Sequence, residues 1–220
     1  SDLCVDLIGP YKIRRKGQKD LICRAVTMID PATGWFEIAQ YDDKKSITVA
    51  NIVETEWFNG YPWPTIVTFD RGSEFIGKDF QTMIEGSYGV TKKPITVRNS
   101  QANAIIERIH QVLSNMVRTF ELEDKYLDED DPFKGILGAC AFAVRSTIST
   151  TTRYSPGHLV FGSDIILNIK HTADLKLIKD RKQKFINKNN KAENAKCIPY
   201  DYKEGDLVLL KRGTENKYET

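Results

Sequence analysis

The chain is 220 residues long, 40% hydrophobic and 28% charged, with a net charge of +2. That length holds one sizeable domain with a remnant, or two small domains, and so even a charge balance gives no argument for nucleic-acid binding from composition alone. No run approaches the roughly 18 to 20 apolar residues of a membrane span, and the first residues lack the basic-then-apolar pattern of a signal peptide.

Residues 2–8 and 20–29 read as two strands, with a basic hairpin loop over 11–19 whose turn Gly17 can serve. Asp30-Pro31-Ala32-Thr33-Gly34 is a further turn and 35–41 a third strand. Short turns between consecutive strands imply an antiparallel meander. The period then changes. Ser46 is placed to cap a helix running to about Asn59, stopped by Gly60, Pro62 and Pro64. A short buried strand over 65–69, a helix over 77–87 and a strand over 94–97 follow, which adds two parallel strands to the meander. The expected fold is α/β, a five-stranded mixed sheet flanked by helices.

A helix from about Gln101 to Glu121 carries the clearest pattern. At 100° per residue, Asn103, His110, Gln111, Ser114 and Arg118 fall within about 60° of Glu107. Ile105, Ile109, Val112, Leu113, Met116 and Phe120 crowd the opposite face. That apolar face is expected to pack on the core and to leave Glu107 in the middle of a polar stripe. Periodicity alone describes a solvated face equally well.

An acidic connector over 121–131, an Ala-rich apolar helix over 133–147 and a short helix from Ser155-Pro156 to near Gly162 complete this part. Between His171 and Lys196 eight Lys/Arg stand against three Asp/Glu, a basic linker that is helical or loosely ordered. Residues 202–211 read as a turn and an apolar strand, the opening of a small β module. Cys4, Cys23, Cys140 and Cys197 form no CxxC pair, and the three histidines do not cluster, so zinc-finger spacing is absent. The first three sit among apolar residues and read as buried free thiols in a reducing, intracellular setting.

Three carboxylates stand out by context. Asp6 lies in Val5-Asp6-Leu7-Ile8-Gly9-Pro10, and Asp70 in Phe69-Asp70-Arg71-Gly72-Ser73-Glu74-Phe75. Glu107 lies in Gln101-Ala102-Asn103-Ala104-Ile105-Ile106-Glu107-Arg108. The first two end strand-like apolar runs and the third is on a helix. With 63 and 36 residues between them, they can meet only through the fold. Clustered carboxylates suit hard divalent cations, and such a cluster is the arrangement for two-metal phosphoryl transfer. Taken singly, among 30 acidic residues, each would be a surface acid.

These motifs, together with Tyr154-Ser155-Pro156, Phe161-Gly162 and Gly205-Asp206-Leu207-Val208-Leu209, resemble the integrase of Gypsy-type long-terminal-repeat retrotransposons and of retroviruses, a part of a Pol polyprotein. The resemblance spans nearly the whole chain. It implies an RNase H-like catalytic core over 1–165, a basic linker over 166–200 and, over 201–220, the truncated start of an SH3-like C-terminal module. The likeness also implies a catalytic and metal-binding set of Asp6, Asp70 and Glu107. Asp6 with Asp70 would hold one Mg²⁺ (or Mn²⁺) and Asp6 with Glu107 a second. The implied reactions are 3′ end trimming of element DNA and its strand transfer into target DNA.

The implied partners are element-end DNA, target DNA and further copies of the chain in a dimer or tetramer, without a membrane. The implied location is the nucleus or a virus-like particle. Asn103, His110, Gln111 and Ser114 lie beside Glu107 where DNA would run, and Lys92, Lys93, Arg14, Arg15 and the linker lysines are candidates to neutralise phosphates. Glu74 fits a supporting carboxylate or a solvated acid equally. The gap from Asp70 to Glu107 is one residue longer than is typical of that family, and Ala104 stands where Gly is frequent. The missing N-terminal His/Cys module, the absent initiating Met and the truncated C-terminal module lead to the expectation of a fragment. A non-catalytic relic or host-recruited integrase domain that binds DNA or protein is the rival reading, and a transposase or RNase H on the same fold is a third.

Overall fold

The computed structural model describes residues 2–13, 21–94, 110–112, 114–115, 132–166 and 173–195. Its centre is one five-stranded sheet of order β3-β2-β1-β4-β5, built from β1 (Asp2–Ile13), β2 (Leu21–Ile29), β3 (Phe36–Gln40), β4 (Ile66–Phe69) and β5 (Thr91–Pro94). The first three strands form the expected antiparallel meander, with Asp6 opposite Thr27 and Met28 opposite Glu37. β4 and β5 add in parallel, with Cys4 opposite Thr68 and Thr68 opposite Lys93.

Two strands differ from the sequence expectation. β1 does not end at residue 8. It runs through Gly9-Pro10 as a bulge, with Ile8 opposite Ala25 but Tyr11 opposite Cys23, so β1 spends one residue more than its partner. Gly9 makes this possible: it sits at φ +99°, and a Cβ there would stand 2.6 Å from the Cys23 carbonyl oxygen. β5 is already under way at Thr91, three residues before the expected start, and residues 95–97 lie outside the described residues. Its described sequence, Thr-Lys-Lys-Pro, carries no apolar alternation because an edge strand needs little burial.

Alternation along β1 divides the core into two layers. Leu3 and Val5 join Val26, Met28, Val67 and Phe69 on one face. Over it pack α1 (Ser46–Val53), continued by the π-helical turn Glu54–Phe58, then α2 (Ser73–Ile76) and α3 (Lys78–Gln81), continued by a second π-helical turn over Thr82–Ser87. Cys4 and Ile8 face the other way with Cys23, Ala25, Ile29 and Phe36, under α4 (Pro132–Ser146) through Phe133, Ile136, Leu137, Cys140 and Ala141. Cys4, Cys23 and Cys140 are buried free thiols, as their apolar neighbours suggest.

The helix expected over 77–87 is present as α3 and its π-helical continuation, and Gly77, where a Cβ would collide with Ser46, separates it from α2. Ser46 in turn does not cap α1. Its hydroxyl accepts the Phe80 N–H at 3.0 Å, and Lys45 occupies the cap position without a side-chain bond. The short helix α5 (Pro156–Phe161) has the anticipated ends: Ser155 Oγ accepts the His158 N–H, Pro156 opens the first turn, and Gly162 closes it at φ +69°. The basic segment is helical over α6 (Leu175–Asn194), capped by Asp174 and docked through buried Ile178. Residues 201–220, where the small β module is expected, lie outside the described residues.

Candidate active site

The parallel pairing of β1 and β4 sets the geometry. Cys4 pairs with Thr68, so two residues further along each strand Asp6 and Asp70 stand at neighbouring positions. Asp70 is the first residue beyond the carboxyl end of β4, the end at which open α/β sheets present ligand-binding groups. Side-chain parity puts Asp6 on the same face as Cys4 and Ile8, under α4. Its Oδ1 accepts the Leu7 N–H at 2.9 Å, and its main-chain carbonyl accepts the Thr27 hydroxyl.

Asp70 is exposed and held by a local turn, with the Gly72 N–H donating to its Oδ1 at 2.9 Å. Glu74, in the first turn of α2, is 7% exposed, and its Oε2 accepts the Ser73 hydroxyl. Gly72 lies between the two acids. A Cβ on it would come within 2.6 Å of Glu74 Oε1 and 3.0 Å of Asp70 Oδ1, so the absent side chain leaves the space on which both carboxylates border. Glu74 is therefore a buried acid beside Asp70 rather than a solvated one.

Burial raises the Asp6 carboxyl from 3.8 to about 6. The Leu7 N–H opposes this rise, while the negative charges of Asp70 and Glu74 add to it. Asp6 thus feels both of the other acids.

His110 approaches from the helical residues 110–112 and 114–115, with Nε2 3.7 Å from Asp6 Oδ2. That is beyond hydrogen-bond range, and Nε2 is buried without a hydrogen-bond partner. Burial lowers the imidazole to about 4, so at neutral pH a neutral ring faces the carboxylate. One turn on, Ser114 donates to the Tyr11 hydroxyl at 3.3 Å. Tyr11 reaches this face because the bulge at Gly9-Pro10 shifts its parity back to that of Asp6. The sequence signal for it was the Gly-Pro pair inside a strand, and residue spacing alone misassigns its side.

The stripe of His110 and Ser114 points at the sheet, while Val112 is 39% exposed. Ile105, Ile109, Leu113, Met116 and Phe120, the rest of the face expected to pack on the core, lie outside the described residues. The sheet surface opposite is polar here, offering Asp6 and Tyr11, so polar side chains fit it better than Val112 does. Gln111 is exposed beside them. Glu107 and Asn103 lie outside the described residues, as do Arg14 and Arg15. Lys92 is engaged by Glu85 at 2.7 Å, and Lys93 is exposed on β5.

Among the described residues no group of three or more His, Cys, Asp or Glu side chains could hold a metal ion. Two of the three expected ligands are present, and they fit a hard divalent cation in three respects. Asp6 and Asp70 offer oxygen donors at adjacent strand positions. Gly72 keeps the space beside Asp70 clear. Burial, with a smaller addition from the Asp70 and Glu74 charges, disfavours the ionised form of Asp6, and a bound cation would favour it.

No protein-family model matches the chain, and no curated protein sequence matches it. Solved structures do. The catalytic core domain of BIV integrase aligns with a TM-score of 0.52 and 12% identity over 71% of this chain and 91% of that one. The HTLV-2 integrase catalytic core domain, in complex with magnesium in a trimeric form, aligns with a TM-score of 0.53 and 13% identity over 71% and 93%. A simian T-cell lymphotropic virus intasome in complex with PP2A regulatory subunit B56 gamma gives 0.57 and 13% over 78% and 58%. The sheet and its flanking helices therefore have the RNase H-like fold of integrase catalytic cores.

Proposed function

We propose that this chain is the catalytic core of a retroelement integrase, which trims the 3′ ends of element DNA and joins them to target DNA. The observation that supports this best is that Asp6 on β1 and Asp70, the residue after β4, each stand two positions past the Cys4–Thr68 pair, on a sheet of the fold of integrase cores. In this reading Asp6, Asp70 and Glu107 are the ligands of two Mg²⁺ or Mn²⁺ ions. Such ions, when bound, supply a lowered water pKa and charge stabilisation at the attacking and leaving oxygens.

The rest falls to the chain's own residues. The Leu7 and Gly72 N–H groups fix the orientation of Asp6 and Asp70. Glu74, buried against the same space, limits how Asp70 can turn. His110 stays neutral and shields the inner side of Asp6 from water. Gln111, Asn103, Lys93, Arg14 and Arg15 are the proposed DNA contacts, whereas His110 and Ser114, expected among them, face Asp6 and Tyr11 instead. The domain limits 1–165, 166–200 and 201–220, the origin in a Gypsy-type Pol polyprotein and assembly into a homo-oligomer belong to the same proposal. Both HTLV-2 and simian T-cell lymphotropic virus neighbours, one a trimeric form and the other an intasome, support the last of these.

The test is metal-dependent phosphoryl transfer on labelled duplex DNA with Mg²⁺ or Mn²⁺, comparing the chain with Asp6→Asn, Asp70→Asn and Glu107→Gln. Cleaved or joined products that vanish in all three variants are expected. Duplex binding without any product from the unmodified chain would replace this reading by a non-catalytic, DNA-binding integrase relic.

A further inference from the structure

Among the described residues Glu74 is the one buried carboxylate, 7% exposed. Charges taken out of water are paired with an opposite charge or coordinate a metal, because neither burial alone nor a single hydrogen bond replaces their hydration. Glu74 forms no ion pair with any described residue. Arg24 shares with it the neighbourhood of the Tyr41 hydroxyl without pairing with it. The one hydrogen bond Glu74 accepts from a described residue comes from the Ser73 hydroxyl, 3.1 Å from Oε2. A carboxylate offers about four lone-pair sites, so most of its acceptor capacity, and Oε1 above all, is unused.

Across Gly72 from Oε1 stands Asp70. Glu74 Oε1 and Asp70 Oδ1 lie 2.6 Å and 3.0 Å from the position of a Gly72 Cβ, so the two oxygens are no farther apart than those distances laid end to end. Asp70 Oδ1 is held in place by the Gly72 N–H at 2.9 Å, and the first turn of α2 brings Glu74 back onto it. The Glu74 charge also reaches Asp6. Three carboxylates thus share one neighbourhood, and the innermost has no counter-charge among the described residues.

We infer that Glu74 is a fourth carboxylate of the metal centre, supplying Oε1 to the divalent cation that Asp70 holds. The inference rests on the reading of Asp6, Asp70 and Glu107 as metal ligands. It gives the burial of Glu74 a physical reason: the missing counter-charge is the cation. Oxygen donors of this kind suit Mg²⁺ and Mn²⁺. Three carboxylates leave two divalent cations with one positive charge in excess, and a fourth cancels it.

The experiment is calorimetric titration of Mg²⁺ and Mn²⁺ into the full chain and into Glu74→Gln. Asp70→Asn serves as the reference for a lost ligand, and each protein is also melted without metal. Glu74→Gln should weaken cation binding about 10- to 100-fold, the range for removing a group that supports a metal centre. The loss should persist at about 1 M salt, where the screening length is only about 3 Å. Without metal the same variant should melt no lower than the unmodified protein, because an unpaired buried charge has gone. A Glu74 that served folding alone would give the reverse pattern, a lower metal-free melting temperature with unchanged affinity, and would overturn the assignment. Should Glu74→Gln fail to fold, Glu74→Asp carries the test. It keeps the charge but withdraws the oxygen by one methylene, so affinity should still fall, and unchanged affinity overturns the assignment.

Cation binding that needs Asp70 but not Glu74 would remove Glu74 from the centre and leave the proposed function intact. A full chain that binds neither ion would overturn both. Metal-dependent cleavage of labelled duplex DNA reports separately on the proposed function. A chain whose cation binding needs Glu74 but which never cleaves would sink the integrase reading and leave the fourth carboxylate standing.

Discussion

Asp70 Oδ1 and Glu74 Oε1 border the same empty volume beside Gly72, 3.0 Å and 2.6 Å from where its Cβ would be. The backbone there (φ −61°, ψ 147°) suits any residue, so the glycine is required by its neighbours' carboxylates and not by its own conformation. Gly72→Ala should therefore cost only about 1 to 2 kcal/mol of stability, as overpacking does. It should nevertheless remove most of the Mg²⁺-induced rise in melting temperature, because both carboxylates must swing away. Thermal melts with and without Mg²⁺ check this, and an undiminished Mg²⁺ response in the alanine variant would refute it.

Asp6 and His110 should pull the pH dependence of stability in opposite directions. Asp6 rises from 3.8 to about 6 on folding, so the folded state keeps a proton that the unfolded chain releases. Its contribution makes the protein less stable as pH climbs from about 4 to about 6. His110 falls from 6.5 to about 4, so the unfolded chain holds the extra proton and stability rises with pH across about 4 to 6.5. Each effect is on the order of 2 to 3 kcal/mol, and together they largely cancel. Urea denaturation of the metal-free protein should show His110→Gln losing stability as pH rises through this window, and Asp6→Asn gaining it. Parallel pH profiles for the two variants would disprove the arrangement.

Much of this was legible in the residues. Apolar runs and short turns predicted the meander and the two parallel strands, because burial writes those patterns directly into sequence. Parity was not legible beyond Gly9-Pro10, since one extra residue in a bulge moves every later side chain to the other face. Nor was the approach of His110 to Asp6 and of Ser114 to Tyr11, since helical periodicity says which residues share a face but not what stands opposite them. Glu74 was undecidable in sequence because its burial depends on Gly72 and the α2 turn, not on any pattern of its own.

Gly9, the one glycine of β1, should resist replacement. An alanine would have to hold φ +99° with its Cβ against the Cys23 carbonyl, a strain on the order of 1 to 3 kcal/mol before any steric relief. Relief by straightening the bulge would turn Tyr11 away from Ser114 and loosen the helix that carries His110. Gly9→Ala should thus lower stability and also weaken Mg²⁺ binding, whereas Tyr11→Phe, which removes only the hydroxyl, should cost less than about 1.5 kcal/mol. Calorimetric titration of Mg²⁺ into each variant separates the two effects. Gly9→Ala with wild-type stability would mean that the bulge is not needed.

Arg145, on α4, ties three elements together far from the acids. Its Nε donates to the Phe36 carbonyl at 2.7 Å, and its Nη2 pairs with Glu37, which also accepts the Tyr61 hydroxyl. The guanidinium lies 4.7 Å above the Trp35 ring. The pair is mostly buried, with Arg145 and Glu37 side chains 22% and 12% exposed. Removing the arginine alone leaves Glu37 as an uncompensated charge in a poorly solvated place, so Arg145→Met should cost about 3 kcal/mol or more. Lysine cannot present a planar fork to a carbonyl and a carboxylate at once, and Arg145→Lys should recover less than half of that loss. The double change Arg145→Met with Glu37→Gln takes away the stranded charge and should be more stable than Arg145→Met by itself. A double-mutant cycle read by denaturant midpoints decides the matter, and additive losses would show that the two side chains do not act as a pair.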